Sequence, residues 1–340
     1  MKLPGLLLAK RFSMANFAIT NQCNAACKHC SFPHAVNKCV VGLDEGIRAL
    51  DSLQRLGVGV VSITGGEPFM VPYLPDLAMH ATDLGMIVFT GTNGSLTTDK
   101  TAQGLKNAGI DGVWISVDSD TPAGVERNRG IAGLPGKIRD SVSILKRYRV
   151  NNFAICVINR NISDIAGLLT FLEELGFDKV KFDYPMTRPM GSSYLGYRDS
   201  DDLRYNYDEA KAIIDSILRL KRKGSNVAII NPTEGLKGLL DHYKGVRPRY
   251  GCYAGSYLFY LDWNLEMYRC THRADRFGNV NEVSRSSFCK IDCDQCYYEG
   301  CRDYDALYSM IDSASCGALL SKNRISGIKT AIDIFRGYII

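Results

Sequence analysis

Thr20-Asn21-Gln22-Cys23-Asn24-Ala25-Ala26-Cys27-Lys28-His29-Cys30 is the stretch that decides how this chain is read. Three cysteines stand at C-x3-C-x2-C spacing, directly after the strand-like run Phe17-Ala18-Ile19-Thr20. Three thiolates on one tight loop suit three irons of a [4Fe–4S] cube and leave the fourth iron open to a ligand. A structural zinc asks for four ligands, often as paired C-x2-C knuckles. No fourth ligand stands near in sequence, and His29 lies inside the loop itself.

The composition narrows the class. Of 340 residues, 46% are apolar and 23% charged, which excludes a disordered, collagenous or coiled-coil chain. No apolar run reaches the ~18–20 residues needed to cross a bilayer. The greasy stretch Leu3-Pro4-Gly5-Leu6-Leu7-Leu8 is stopped by Lys10-Arg11 and lacks the length and cleavage site of a secretory signal. A cytoplasmic location is therefore expected, where twelve cysteines do not make a disulfide framework. Seven of them crowd between Cys252 and Cys316, and only Cys39 and Cys156 stand apart, as ordinary thiols. Clustered cysteines in a reducing compartment indicate metal or iron–sulfur chemistry. The net charge of +5 gives no reason to expect nucleic acid.

Outward from the first cysteines, two kinds of segment alternate through residues 14–190. Phe17–Thr20, Val58–Ile63, Met86–Thr90, Gly112–Val117, Phe153–Ile158 and Lys179–Tyr184 read as strands. Leu43–Leu56, Ile138–Tyr148 and Ile162–Leu175 carry apolar residues at helical spacing. Such alternation predicts an α/β fold of parallel βα units with helices over the sheet. Six strands fall short of the eight of a closed TIM barrel, so a partial, TIM-like (β/α)6 barrel is expected, with its chemistry at the C-terminal strand ends. The expected organisation is a barrel over 14–207, a helical linker over 208–249, a cysteine-rich domain over 250–318 and a closing amphipathic helix over 319–340. Residues 185–207 lose any period and read as a loop over the site.

This combination resembles the radical S-adenosylmethionine (radical SAM) superfamily, whose hallmark is C-x3-C-x-aromatic-C after the first strand of a partial (β/α)6 barrel. His29 takes the aromatic position. The resemblance implies that Cys23, Cys27 and Cys30 hold a [4Fe–4S] cluster whose open iron chelates the amino and carboxylate groups of SAM. One electron then yields methionine and a 5′-deoxyadenosyl radical. Thr64-Gly65-Gly66-Glu67-Pro68 is similar to the family's GGEP motif. By that match Gly65 and Gly66 let the backbone approach a ligand, and Glu67, held before Pro68, accepts hydrogen bonds from the SAM ammonium. Gly91-Thr92-Asn93-Gly94 resembles the TNG turn and adds Asn93 to the cofactor site. Ser116-Val117-Asp118 with Arg127-Asn128-Arg129-Gly130 resembles a signature of peptide-modifying relatives. It implies that Ser116 and Arg129 hold the SAM carboxylate, for which a planar guanidinium suits bidentate binding. Val157 or Ile158 is then placed against the adenine, and Asn159 and Asn161 match a further pattern of the same relatives.

The C-terminal cysteines resemble SPASM and twitch domains, which add auxiliary [4Fe–4S] clusters to radical SAM enzymes. Gly251-Cys252-Tyr253-Ala254-Gly255 opens the block, Met267-Tyr268-Arg269-Cys270 follows, and Cys293-Asp294-Gln295-Cys296 supplies a C-x2-C. Leu265 stands where the hairpin normally has glycine, and Asp305 stands about where a full SPASM domain has its next cysteine. Cys252, Cys270, Cys293 and Cys296 fit the one-cluster, twitch-like arrangement. A second cluster drawing on Cys289, Cys301 and Cys316 is the alternative, and structural zinc is the other reading of the block. An auxiliary cluster serves electron transfer or substrate anchoring.

Asp183, at the end of the sixth strand, is the candidate substrate contact, with Tyr184 in the core; His272 reads either as an acid or base or as a surface residue. The stripe Ile325, Ile328, Ile332, Phe335 and Ile339 with flanking Lys and Arg packs on the barrel or, with Leu3–Leu8, makes a peripheral membrane contact. The resemblance implies a reductant such as flavodoxin or ferredoxin and a small-molecule, peptide or lipid substrate. The enzyme alternatives are a peptide maturase with a separate leader-binding partner and a lipid- or isoprenoid-modifying enzyme. An iron–sulfur electron carrier or sensor is the non-enzyme reading, and it has no use for a SAM pocket.

Overall fold

The computed structural model describes residues 13–185, 201–290, 293, 294, 296, 297, 302–309 and 330. Apart from Thr330, the closing helix lies outside them, as do Leu3–Leu8, Cys301 and Cys316. Strands and helices alternate from the start: β1 (Ser13–Thr20), α1 (Leu43–Arg55), β2 (Val58–Gly65), α2 (Leu74–Asp83), β3 (Ile87–Thr92), α3 (Asp99–Asn107), β4 (Gly112–Ser116), α4 (Pro122–Arg129), α5 (Leu134–Arg147), β5 (Asn152–Val157), α6 (Ile165–Glu174) and β6 (Lys179–Asp183). The expected strands are all present within a few residues. Helices α2, α3 and α4 are additional to the three expected; α2 buries Leu74, Leu77, Ala78 and Ala81 at helical spacing, and only α4 lacks an apolar stripe. The buried positions of α4 are only Gly124, Val125 and Asn128, and its start is set instead by Thr121, whose hydroxyl accepts the Gly124 N–H, and by Pro122.

After β6 come α7 (Tyr207–Lys223), β7 (Ala228–Ile229), α8 (Thr233–Tyr243), β8 (Leu258–Leu261), β9 (Glu266–Tyr268) and β10 (Arg276–Asn279). The four new strands belong with the first six to one sheet of order β10-β9-β8-β1-β2-β3-β4-β5-β6-β7. Strands β1 to β7 run parallel, β7 lying beside β6 within the expected linker. Strand β8 pairs parallel with β1, and the hairpin β8–β9 and then β10 add antiparallel strands. The cysteine-rich segment is therefore bonded to the barrel's first strand through main-chain ladders.

The two faces of the sheet divide the work. Outward residues such as Phe17, Ile63, Val88, Ile115, Cys156 and Phe182 are buried with Leu50, Leu77, Leu105, Ile138 and Leu168 of the covering helices. Each large apolar side chain so buried contributes ~1.5–3 kcal/mol. Inward, Asn16, Thr64, Phe89, Trp114, Ser116, Ile155 and Asp183 are only half-buried and line a chamber. Gly91 makes room in it: a Cβ there would lie 2.2 Å from Nε1 of Trp114. Below, Val60, Ile87 and Phe153 pack with Leu307 and Tyr308, and with Cys252 and Cys270.

Candidate active site

The first cysteine loop is pinned from two sides. On one side, the end of α4 accepts from it: Ala26 N–H donates to Arg129 O at 2.9 Å and Lys28 N–H to Asn128 O at 3.2 Å. On the other side runs the Gly65-Gly66-Glu67 turn, where Gly66 N–H donates to Thr20 O at 2.8 Å and Glu67 N–H to Gln22 O at 2.7 Å. Both glycines are demanded by this approach to the loop. A Cβ on Gly65, at φ +134°, would lie 2.2 Å from Thr20 O, and one on Gly66 would lie 2.0 Å from Gln22 O.

Cys27 is buried, and Cys23 and Cys30 are half-buried. Burial pushes the Cys23 thiol up to about 11, against a hydrogen bond from Ala25 N–H that lowers it. Burial, joined by the neighbouring Cys27 thiol, pushes Cys30 up to about 12. The bare Cys23 and Cys30 thiols thus keep their protons, and an iron bound there must displace them. Among the described residues no three Cys, His, Asp or Glu groups close on a single-ion point. A cubane does not ask for that, since each thiolate takes its own iron.

Glu67 is 1% exposed and is the hub of the strand ends. Its Oε1 accepts Phe69 N–H at 3.0 Å and the Thr92 hydroxyl at 2.8 Å; Oε2 accepts Asn93 N–H at 2.7 Å. Three of roughly four carboxylate acceptor positions are occupied, leaving about one for a ligand. Burial pushes this carboxyl up to about 7, although these three hydrogen bonds pull the other way. Pro68 opens the short 3-10 turn that follows. The Asn93 side chain turns to the cysteine loop, donating to Asn24 Oδ1 at 2.8 Å.

A second polar group lies across the loop. Asp118 is 1% exposed and forms an ion pair with Arg129, whose Nη1 also donates to Cys27 Sγ at 3.5 Å. Burial works against the Arg129 charge, but Asp118, Cys27 and Cys30 hold the guanidinium above its ordinary value. Asp118 further accepts Val157 N–H at 2.9 Å, and its carbonyl accepts the Asn159 amide at 2.9 Å. So Arg129, expected to hold a carboxylate, already holds one from the chain, while Val157 is tied to the same aspartate and Ser116 stays half-buried on the chamber wall. The Arg129 Nε and both polar atoms of the Asn128 side chain are buried without a hydrogen-bond partner among the described residues. These orphaned groups beside three clustered thiols fit an iron–sulfur cluster with a polar ligand.

At the far wall, Asp183 is half-buried and Tyr184 fully buried, its hydroxyl donating to Asp303 Oδ1 at 2.6 Å. Lys181 is 5% exposed and 3.9 Å from Asp303 Oδ2. Lys181 and Asp303 were not legible as site residues, and Asp118 was legible only as a member of the Ser116-Val117-Asp118 run, with no role of its own. The available signal for Lys181 was a charged residue inside a strand's apolar run, and for Asp118 a carboxylate just past a strand's C-terminal end; nothing local marks Asp303.

In the second block, Cys252 and Cys270 are buried, with Cys293 packed against them. Burial pushes Cys270 up to about 11, with Cys252 and Cys293 adding to it. Arg302 draws in the C-x2-C, donating to Cys293 O at 3.1 Å and Cys296 O at 3.2 Å. Asp305 pairs with Arg302 at 2.9 Å and accepts Tyr253 N–H at 3.3 Å. Cys289 is exposed, its sulfur accepting from Arg269 at 3.1 Å. Leu265 keeps a left-handed φ of +61°, so the hairpin turn survives without glycine, its neighbours held by Asp262 Oδ1. His272 is buried, not a surface residue.

Residues 17–172 match the model of the Radical SAM superfamily. The AdoMet-dependent heme synthase of Methanosarcina barkeri is 27% identical over 284 residues, 78% of each chain. The PqqA peptide cyclase of Xanthomonas oryzae pv. oryzae is 26% identical over 217 residues, 62% of this chain and 56% of that one. Matches to curated relatives span from 42% to 78% of the relative's own length. Among solved structures, anSMEcpe with bound AdoMet superposes with a TM-score of 0.60 at 16% identity, covering 95% of this chain and 96% of that one. That likeness concerns the fold.

Proposed function

We propose that this chain is a radical SAM enzyme, as the match of residues 17–172 to that superfamily's model supports, and that it binds a [4Fe–4S] cluster on Cys23, Cys27 and Cys30 and S-adenosylmethionine beside it. The observation that carries the reading is the cysteine loop, clamped between the Gly66–Glu67 turn and the end of α4, with orphaned polar atoms of Asn128 and Arg129 next to it. The cluster, when bound, supplies the electron that cleaves SAM to methionine and a 5′-deoxyadenosyl radical. Glu67 and Asn93 shape one side of the SAM pocket, and Ser116, Arg129 and Val157 the other. The chamber with Phe89, Trp114 and Asp183 receives the substrate and keeps bulk water from the radical. Asp183 contacts that substrate.

Cys252, Cys270, Cys293 and Cys296 hold one auxiliary cluster, for electron transfer or substrate anchoring. A flavodoxin or ferredoxin is the proposed reductant. The substrate reading is a peptide, which the relation to the PqqA peptide cyclase supports. A tetrapyrrole is the second reading, favoured by the longer match to the heme synthase. Anaerobic reconstitution, with dithionite and SAM, is the test: formation of 5′-deoxyadenosine supports the enzyme, and its absence with a full iron complement favours an electron carrier. Hydrogen transferred from a deuterated peptide or tetrapyrrole into 5′-deoxyadenosine then separates the substrate readings.

A further inference from the structure

On the inner face of β8, Tyr260 is 3% exposed and its hydroxyl has no hydrogen-bond partner among the described residues. A buried hydroxyl left unpaired is destabilising, so an acceptor is owed to it. The obvious one nearby is already engaged. Asp262, two residues on, gives Oδ1 to the N–H groups of Asn264 and Glu266 and Oδ2 to the Tyr268 hydroxyl at 3.2 Å.

The fold directs Tyr260 toward the cysteine loop. Register pairs it with Asn16 of β1, and its ring packs with Ala18 and Tyr268. From Ala18, β1 runs directly into the loop that bears Cys23, Cys27 and Cys30. On the far side, Trp263 meets Phe32, two residues past Cys30, with ring centroids 5.7 Å apart. Burial, then Asp262 and Tyr268, raise the Tyr260 phenol, which keeps its proton to donate.

We propose that the Tyr260 hydroxyl donates a hydrogen bond to sulfur at the Cys30 corner of the radical cluster and raises that cluster's reduction potential. The inference rests on the reading of Cys23, Cys27 and Cys30 as cluster ligands. A donor to cluster sulfur favours the reduced state, which carries one more negative charge. Arg129 Nη1 already points to Cys27 Sγ at 3.5 Å, so two corners receive donors from two different parts of the chain. Tyr260 comes from the cysteine-rich segment, which thereby tunes the barrel's cofactor without ligating it. It is a positioning residue for the cluster's electron and does not itself touch the reacting carbon.

The test is a potentiometric titration, followed by electron paramagnetic resonance, of the signal that added SAM perturbs, in full-length reconstituted protein. Tyr260→Phe keeps the ring and removes only the hydroxyl. Its midpoint is expected to fall by the equivalent of a three- to tenfold change in the reduced-to-oxidised ratio, roughly 30–60 mV at about 59 mV per tenfold for one electron. Tyr268→Phe, which removes the neighbouring phenol's hydroxyl, is expected to leave it unmoved. An unchanged midpoint in Tyr260→Phe with full iron content overturns the proposal. So does an equal shift in both variants, which reports a general loss of polarity. If wild type shows no SAM-sensitive signal, or Cys30→Ala retains it, the cluster reading itself has failed and the inference falls with it.

Discussion

Gly66 lies against Gln22 so closely that a Cβ on it would stand 2.0 Å from the Gln22 carbonyl oxygen. The obstacle is backbone, which no side-chain rotation relieves. Gly66→Ala should therefore push the turn off the cysteine loop and cost about 3 kcal/mol, the upper end of overpacking penalties. Urea unfolding of the apoprotein measures it. The same variant should retain little iron at the first cysteines, because Glu67 N–H loses its hold on Gln22.

Glu67→Gln should cost ~1–3 kcal/mol, because either orientation of the amide sets an NH2 against a backbone N–H, that of Phe69 or of Asn93. The carboxyl sits at about 7 in the fold against 4.5 for an ordinary glutamate, chiefly through burial. A raised carboxyl pKa means that the folded state holds the proton longer than the unfolded chain. Its contribution is fully present below pH 4.5 and is lost as pH rises through about 7. Wild-type apoprotein should lose stability across that window, and the Gln variant should lack this share of the slope. Equal slopes for the two proteins in urea titrations across it would refute the assignment.

Asp303 joins the helical residues 302–309 to the barrel through Tyr184, at 2.6 Å, and Lys181, at 3.9 Å. Asp303→Ala leaves the buried Lys181 without this counter-charge and should cost about 3 kcal/mol. Gly235 gives an independent check, since its missing Cβ would lie 2.0 Å from Asp303 Oδ1. Gly235→Ala should be costly in wild type and clearly cheaper in the Asp303→Ala background. Additive costs in a double-mutant cycle would show that the two do not touch.

Iron content separates the two cysteine sets. Protein with one auxiliary cluster should hold about eight irons, counting four per cubane. Replacing Cys23, Cys27 and Cys30 together by Ala should remove about four of them and all 5′-deoxyadenosine formation. Continued SAM cleavage by that variant would exclude these thiols as the cluster ligands. A wild-type value of about twelve would mean that Cys289 or cysteines beyond the described residues complete a second auxiliary site.

Much of this was written locally in the chain. The C-x3-C-x2-C spacing, the strand-like runs and the Gly-Gly-Glu-Pro and Thr-Asn-Gly turns depend on neighbours within a few residues, so the sequence by itself determined the barrel's alternation and the candidate ligand loop. Helix α4 was illegible because capping and its packing on the cysteine loop hold it, not an apolar stripe. Only the tertiary structure decided the rest. Glycines that read as room for a ligand are also room for another stretch of backbone, a distinction that depends on Thr20 and Gln22 lying more than forty residues away. Arg129 meets Asp118, Tyr184 meets Asp303, and β8 joins β1 across more than two hundred residues. Such contacts arise when burial forces charged and hydrogen-bonding groups to find partners wherever the fold brings them, and no local pattern records which partner that is.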